Sequence, residues 1–258
     1  MNFRKHILTK ELCENLGHVA WVEDTSPVSA IQRMLTSVSA ESINCAVWSN
    51  SYLNLDAGVV TAIAEWRSKF SYNFSGDPLR GVESNKTPLA IAKYFEHVVG
   101  KSNAKLKIDA SARGDFTKGV RALEIFVLDR TEQIREATQS STISVRPKAS
   151  AKHDNVFETP NLHVDYESMH VKFRFLDAIN CPHTVLPRNR DIMPFGSEGY
   201  YQFKAASAQD PIDIFEFPPN SMIILSQSQK NPIVHTQPFI YEEGQKTVSR
   251  TTVTYDIA

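Results

Sequence analysis

Apolar residues in the first part of the chain recur at the three- and four-residue intervals that line one side of a helix. Ser26-Pro27 offers a cap residue followed by proline, and Val28, Ile31, Leu35 and Val38 then fall on one stripe, which predicts a helix opening there. Asp56 is placed to cap a second helix, with Val59, Val60, Ile63, Trp66 and Phe70 along one side. Thr87-Pro88 opens a third, carrying Leu89, Ile91, Ala92, Phe95 and Val99 up to Gly100. A fourth runs from about Asp115 through Val120, Leu123, Phe126, Val127 and Ile134 to about Ala137. Only the segment 43–48, short, alternating and ending in Trp48, reads as a strand in this part.

From Ser140 the period shortens to two. Segments 142–146, 170–176, 200–203, 212–217, 221–225, 232–235 and 248–255 are short, rich in β-branched and aromatic residues, and separated by turn signals such as Pro187-Arg-Asn and Pro218-Pro-Asn-Ser. Strands at this spacing predict an α+β chain. Residues 140–258 would form a sandwich or barrel, and residues 1–139 a mainly helical region packed on its outside, the two forming one structural unit.

Composition narrows the partners. The 258 residues carry 28 Lys+Arg against 29 Asp+Glu, a formal charge of -1, with no basic tract for nucleic acid or anionic lipid. The longest apolar run, 57–64, falls far short of the ~20 residues of a membrane span. The basic start Met1-Asn-Phe-Arg-Lys-His is followed by polar residues instead of the apolar core of a secretion signal, so a cytoplasmic location is expected. The expected partners are a small-molecule substrate and, at most, a second copy of the chain as a homodimer, with no nucleic acid and no membrane. Cys13, Cys45 and Cys181 are too scattered for a disulfide framework or a zinc site and read as reduced thiols. Cys181 with His183 as base would make a poor nucleophile pair, because side chains two apart on such a turn diverge. With only 10 Gly, the chain has no phosphate-binding loop, no Gly-x-Ser-x-Gly and no His-Glu-x-x-His.

The strongest chemistry lies in His163-Val-Asp165 and, later, Ile233-Val-His235. Residues two apart on a strand share a face, and a late histidine on a neighbouring strand would complete a triangle of two imidazoles and one carboxylate. Such a facial set leaves three positions open, as non-haem Fe(II) oxygenases require to hold a keto acid through two oxygens and still admit O2. Arg250 and Thr252 share one face of the last strand, where a guanidinium fork and a hydroxyl suit the distal carboxylate of that keto acid. Lys172 and Arg174 are second candidates for this anchor, and Glu167 is a second candidate carboxylate ligand. His170 and His183 are expected at the surface or behind the ligands, since a third imidazole would close the site. The plain alternatives are core histidines bonded to carbonyls and an Arg250 paired with Glu242 or Glu243.

The order His-x-Asp, late His, Arg-x-Thr over roughly residues 140 to 258 resembles the Fe(II)/2-oxoglutarate-dependent dioxygenase superfamily. That resemblance implies a double-stranded β-helix, a jelly-roll or cupin-like barrel. It also implies Fe(II) as metal, 2-oxoglutarate as cosubstrate and O2, with His163, Asp165 and His235 as catalytic metal ligands and Arg250 with Thr252 binding the cosubstrate. The implied reaction decarboxylates the keto acid to succinate and CO2 and hydroxylates a small molecule; a carboxylate at 165, where halogenation needs a vacated ligand position, argues against that outcome. Within this pattern, Ala46-Val-Trp48, the Pro-rich turn, the late His and the terminal strand from Arg250 to Asp256 resemble an uncharacterised bacterial group, domain of unknown function 1826. A reading of a different class keeps the same three ligands in a cupin-like divalent-metal-binding or metal-homeostasis protein without turnover. A structural β-sandwich with an accidental His-x-Asp is a third.

Overall fold

In a computed structural model of the chain, the structure describes residues 3–39, 42–49, 51–52, 57–69, 73–74, 92–93, 95–96, 110–140, 143–150, 162–164, 171–179, 181, 183–204, 211–227, 233–236 and 250–257. The first part of the chain contributes β1 (Phe3–Ile7), α1 (Lys10–Leu16), β2 (Val19–Val22), α2 (Pro27–Val38), β3 (Cys45–Trp48), α3 (Ala57–Lys69), β4 (Asn73–Phe74) and α4 (Ala110–Thr138). The second contributes β5 (Ile143–Ser150), β6 (Leu162–His163), β7 (Phe173–Ala178), β8 (Val185–Pro187), β9 (Ile192–Pro194), β10 (Tyr200–Phe203), β11 (Ile212–Glu216), β12 (Met222–Ser226) and β13 (Arg250–Ile257).

The α2 helix starts where its sequence dictates. The Ser26 hydroxyl accepts from the Ser29 N–H, Pro27 occupies the first turn, and Ala30, Ile31, Met34 and Val38 are buried. Gly17 ends α1 in the left-handed region at φ 72, where a side chain would be strained. Asp56, Thr87-Pro88 and most of the third expected helix lie outside the described residues, although the buried Phe95 is helical.

The N-terminal part departs from the expectation of a single strand. Besides β3 it supplies β1, β2 and β4, all short and without clean alternation, and β1 and β2 pair in parallel, β1 with a strand more than 200 residues distant. Their strand character comes from the partner's unpaired edge, a tertiary signal.

One sheet has seven strands in the order β2-β3-β12-β7-β13-β5-β4. The remaining strands form two ladders, β1-β11-β8 and β6-β10-β9. Two consecutive residues join these ladders: His235 bridges His163 on β6, and Thr236 bridges Val185 on β8. Successive residues of an extended segment direct their backbone groups to opposite sides, so the segment 235–236 acts as a middle strand of a second, composite sheet.

Alternation along the strands sorts the core into layers. On β12, Met222 and Ile224 join the cluster that contains Ile31 and Met34 of α2 and Phe126 and Val127 of α4. Ile223 and Leu225 point the other way and pack with Leu186, Phe215 and Ile233 of the composite sheet. The molecule is therefore layered as helices α2, α3 and α4, seven-stranded sheet and composite sheet, a sandwich with these helices on one outer face, while α1 packs into the cluster between the sheets. No described helix is long and apolar enough to cross a membrane.

Candidate metal centre

The composite sheet positions the two histidines. His163 and His235 exchange backbone hydrogen bonds at 2.9 and 3.0 Å, the signature of directly opposed residues in an antiparallel pair. Directly opposed side chains share a face, and the two imidazole rings lie 4.6 Å apart between centroids, tilted by 48°. Ile233, two residues before His235, belongs to the apolar cluster between the sheets, so the histidine face is the one turned towards the seven-stranded sheet. His235 is buried and His163 half-buried.

The His235 ring is held in one tautomer. Its Nδ1 lies 3.2 Å from the Ile233 carbonyl, which can only accept, so Nδ1 carries a proton, and a neutral ring held this way keeps its lone pair on Nε2. Metal-ligating histidines are oriented in this way by a bond from the other ring nitrogen. The same bond serves a core histidine, so the second imidazole alongside is what distinguishes the site.

The other expected site residues are placed unevenly. Asp165, Glu167 and His170 lie outside the described residues. Among the described residues no group of three or more metal-ligating side chains forms. Arg250 opens β13 opposite Ser150, and its side chain is likewise outside the described set, as are Glu242 and Glu243. Thr252 is buried opposite Ala178. Val253, Tyr255 and Ile257 pack on the helices, so Thr252, Thr254 and Asp256 occupy the face of β13 turned towards the composite sheet. The histidine pair and Thr252 thus stand on the two surfaces that bound the same interlayer space.

Arg174 stands on that face too, directly opposite Asp256, and its Nε donates to the Asp256 carboxylate at 2.7 Å. A second donation from the Arg174 guanidinium spans 3.4 Å, so the fork is engaged by a carboxylate of the protein. Lys172 is exposed. His183 departs from a surface position. It is fully buried, its Nδ1 accepts from the Thr184 N–H at 2.7 Å, and its ring meets Phe217 edge-on, because Thr184 and Phe217 tie this turn into the sheet by a backbone bond. All three cysteines are buried and outside any disulfide, and the Cys181 sulfur sits 3.4 Å from both backbone groups of Thr251. Burial pushes the Cys13 thiol up to about 12.

Two charged clusters escaped the sequence reading. Arg130 and Asp177 form a fully buried ion pair at 3.1 Å between α4 and β7, with the guanidinium over the Trp48, Tyr52 and Phe126 rings at 5.3 to 5.9 Å. Burial pushes the Asp177 carboxyl up against the opposing pull of Arg130. The signal available was Arg130 itself, which falls in the stripe Leu123, Val127, Ile134 at helical spacing. At the edge strand β1, Arg4, His6 and Arg188 converge on Asp213 at 2.6, 2.8 and 3.3 Å. The hydrogen bond from Arg4 leads in holding the Asp213 carboxyl down at about 2.

No family model matches the chain, which leaves the resemblance to domain of unknown function 1826 without support, and no curated protein matches it. Solved structures with similarity include a dioxygenase for auxin oxidation from Arabidopsis thaliana in a binary complex with 2-oxoglutarate, at TM-score 0.42 and 12% identity over 93% of this chain and 92% of that one. An oxidoreductase of the 2OG-Fe(II) oxygenase family from Burkholderia pseudomallei gives 0.39 and 9% over 93% of each chain. A full-length Neurospora crassa protein in complex with alpha-KG gives 0.43 and 8% over 93% of this chain and 86% of that one. At these scores the likenesses assign neither a family nor an activity, and the functional reading rests on the residues themselves.

Proposed function

We propose that the chain is a non-haem Fe(II)- and 2-oxoglutarate-dependent oxygenase that hydroxylates a small molecule. The observation that carries the reading is the juxtaposition of His163 and His235, 72 positions apart in sequence, on one sheet face with rings 4.6 Å apart. The donor chemistry fits the metal: imidazole suits Fe(II), and the fixed tautomer of His235 directs a lone pair from Nε2. His163, Asp165 and His235 would hold the ion, with Asp165 two residues beyond His163. Bound there, Fe(II) with three protein ligands supplies open positions for a keto acid and O2 and the oxidising power of the reaction.

The chain's own residues do the rest. Thr252 offers a hydroxyl to the distal carboxylate of 2-oxoglutarate, and Arg250 would add a guanidinium fork two residues earlier on the strand. The Arg174–Asp256 pair keeps a second cation on that face neutralised, leaving the carboxylate of the cosubstrate to Arg250 and Thr252. The apolar layer of Ile223, Leu225, Phe215 and Ile233 excludes water from the flank of the site.

The test is an anaerobic titration of the protein with Fe(II) and 2-oxoglutarate, watched in the visible range. A weak charge-transfer band is expected only when both bind together. It should vanish in His163→Ala and in His235→Ala. Metal binding without the band in the wild type would replace the oxygenase with a cupin-like metal-binding protein, and a band surviving His163→Ala would overturn the ligand set.

A further inference from the structure

The histidine pair does not end the row in which it sits. Tyr200 of β10 is directly opposite His163. Because His163 spends both backbone groups on His235, its pairing with Tyr200 is the non-hydrogen-bonded kind, in which the Cα atoms stand only about 4.5 Å apart and side chains are closest. Beyond Tyr200, the Phe195 N–H donates to the Tyr200 carbonyl at 2.9 Å, while Tyr201 pairs with Pro194, so Phe195 continues the row where the β9–β10 hairpin begins to turn. His235, His163, Tyr200 and Phe195 therefore lie side by side on one face across successive strands. Met193, two residues before Phe195, sits opposite Gln202, two residues after Tyr200, and so shares that face.

Exposure rises steadily along the row. His235 is 6% exposed, His163 half-buried, Tyr200 46% and Phe195 58%, with Met193 at 39%. Three of the five large hydrophobic side chains exposed among the described residues are thus gathered beside the two histidines. Two flat rings and a polarisable thioether present an aromatic platform, continuous with the candidate metal centre and without a charged side chain in the row.

We infer that Met193, Phe195 and Tyr200 form the substrate platform, and that the substrate is a small molecule carrying a planar aromatic ring. The ring lies over Phe195 and Tyr200 with the reacting carbon directed towards His163. The reaction performed there rests on the oxygenase reading; the binding of the ring does not.

A fluorinated uncharged ring, 4-fluoro-1-naphthol, observed by 19F NMR, tests the inference on the whole protein. Saturable binding is expected in the wild type. Replacing both rings, Phe195→Ala with Tyr200→Ala, should weaken it about tenfold or more, whereas Phe195→Tyr with Tyr200→Phe, which keeps both rings, should hold it within about twofold. Ile125→Ala, an exposed apolar residue on α4, should leave it unchanged. Both variants alter exposed side chains, and circular dichroism checks that the fold is intact. With Co(II) added, the fluorine should relax faster in the wild type but not in His163→Ala with His235→Ala, which should still bind the ring. No saturable binding, or equal affinity in the double alanine variant, would overturn the platform. Bound Co(II) without relaxation of a bound ring would overturn its place beside the histidines. Ring binding that behaves as expected in a protein lacking the Fe(II) and 2-oxoglutarate band would support the platform and sink the oxygenase reading alone.

Discussion

Among the described residues, the seven-stranded sheet buries an arginine–aspartate pair on each face, in different company. On the helix face Arg130 and Asp177 are fully buried, and the guanidinium also donates to the Ser51 carbonyl and the Gln133 amide oxygen. Its aromatic surroundings and its three hydrogen bonds, one from each guanidinium nitrogen, make it a closed fastening between α4 and the sheet. On the opposite face Arg174 and Asp256 remain 6% and 9% exposed, with Thr252 and Thr254 on the same face of β13, across the interlayer space from the histidine pair. A pair sealed in low dielectric, with all three guanidinium nitrogens donating to the protein, is poorly placed to take a ligand. A pair beside a row of threonine hydroxyls, with a few per cent of its surface still exposed, can border one. The two faces of one sheet have been divided between architecture and chemistry.

Three changes probe that division. Asp177→Ala strands the Arg130 charge among aromatic rings and should cost about 3–5 kcal/mol of unfolding free energy in urea. A loss below about 1 kcal/mol would show that the helix face is open to water after all. Asp256→Ala strands an Arg174 side chain that is 6% exposed, against 0% for Arg130, so its cost should be smaller, about 2 kcal/mol, and an equal cost for the two would erase the contrast. Thr252→Val keeps the shape of β13 while removing one hydroxyl. Unfolding should be unchanged, and 2-oxoglutarate binding should weaken about tenfold, the worth of one hydrogen bond to a charged group.

The smallest effect concerns the edge of the composite sheet. The Asp213 carboxyl is held at about 2, below its ordinary 3.8, so its contribution is fully present above pH 4 and is lost as pH falls towards 2. Urea midpoints of wild type and Asp213→Asn should differ at pH 6 and converge near pH 2. A gap that persists at pH 2 would mean that the carboxylate is not what pins β1.

What the sequence revealed followed how local each signal is. The α2 helix was readable because cap, proline and stripe all lie within a dozen residues of one another. The apolar stripe of α4 was readable too, but not the burial of Arg130 within it, since its partner Asp177 is 47 residues away. The strands β1 and β2 carry no period of their own and exist because β11 and β3 offer edges. For the candidate site, residue types named His163 and His235, yet nothing in the local pattern of either reports that one faces the other. Their meeting, like the alignment of Tyr200 and Phe195 with them, is a property of register, which only the folded sheet specifies.

The seam at 235–236 has a thermodynamic consequence. Two residues join one three-stranded ladder to another, and one of them is a proposed ligand. An ion held by both His163 and His235 would cross-link the seam it occupies, so local opening of this sheet and release of the ion become a single equilibrium. By mass action, an ion at one hundred times its dissociation constant adds about 2.7 kcal/mol to that opening. The amides of His163 and His235, which bond to each other's carbonyls, should therefore be the backbone groups whose hydrogen exchange slows most when the site fills.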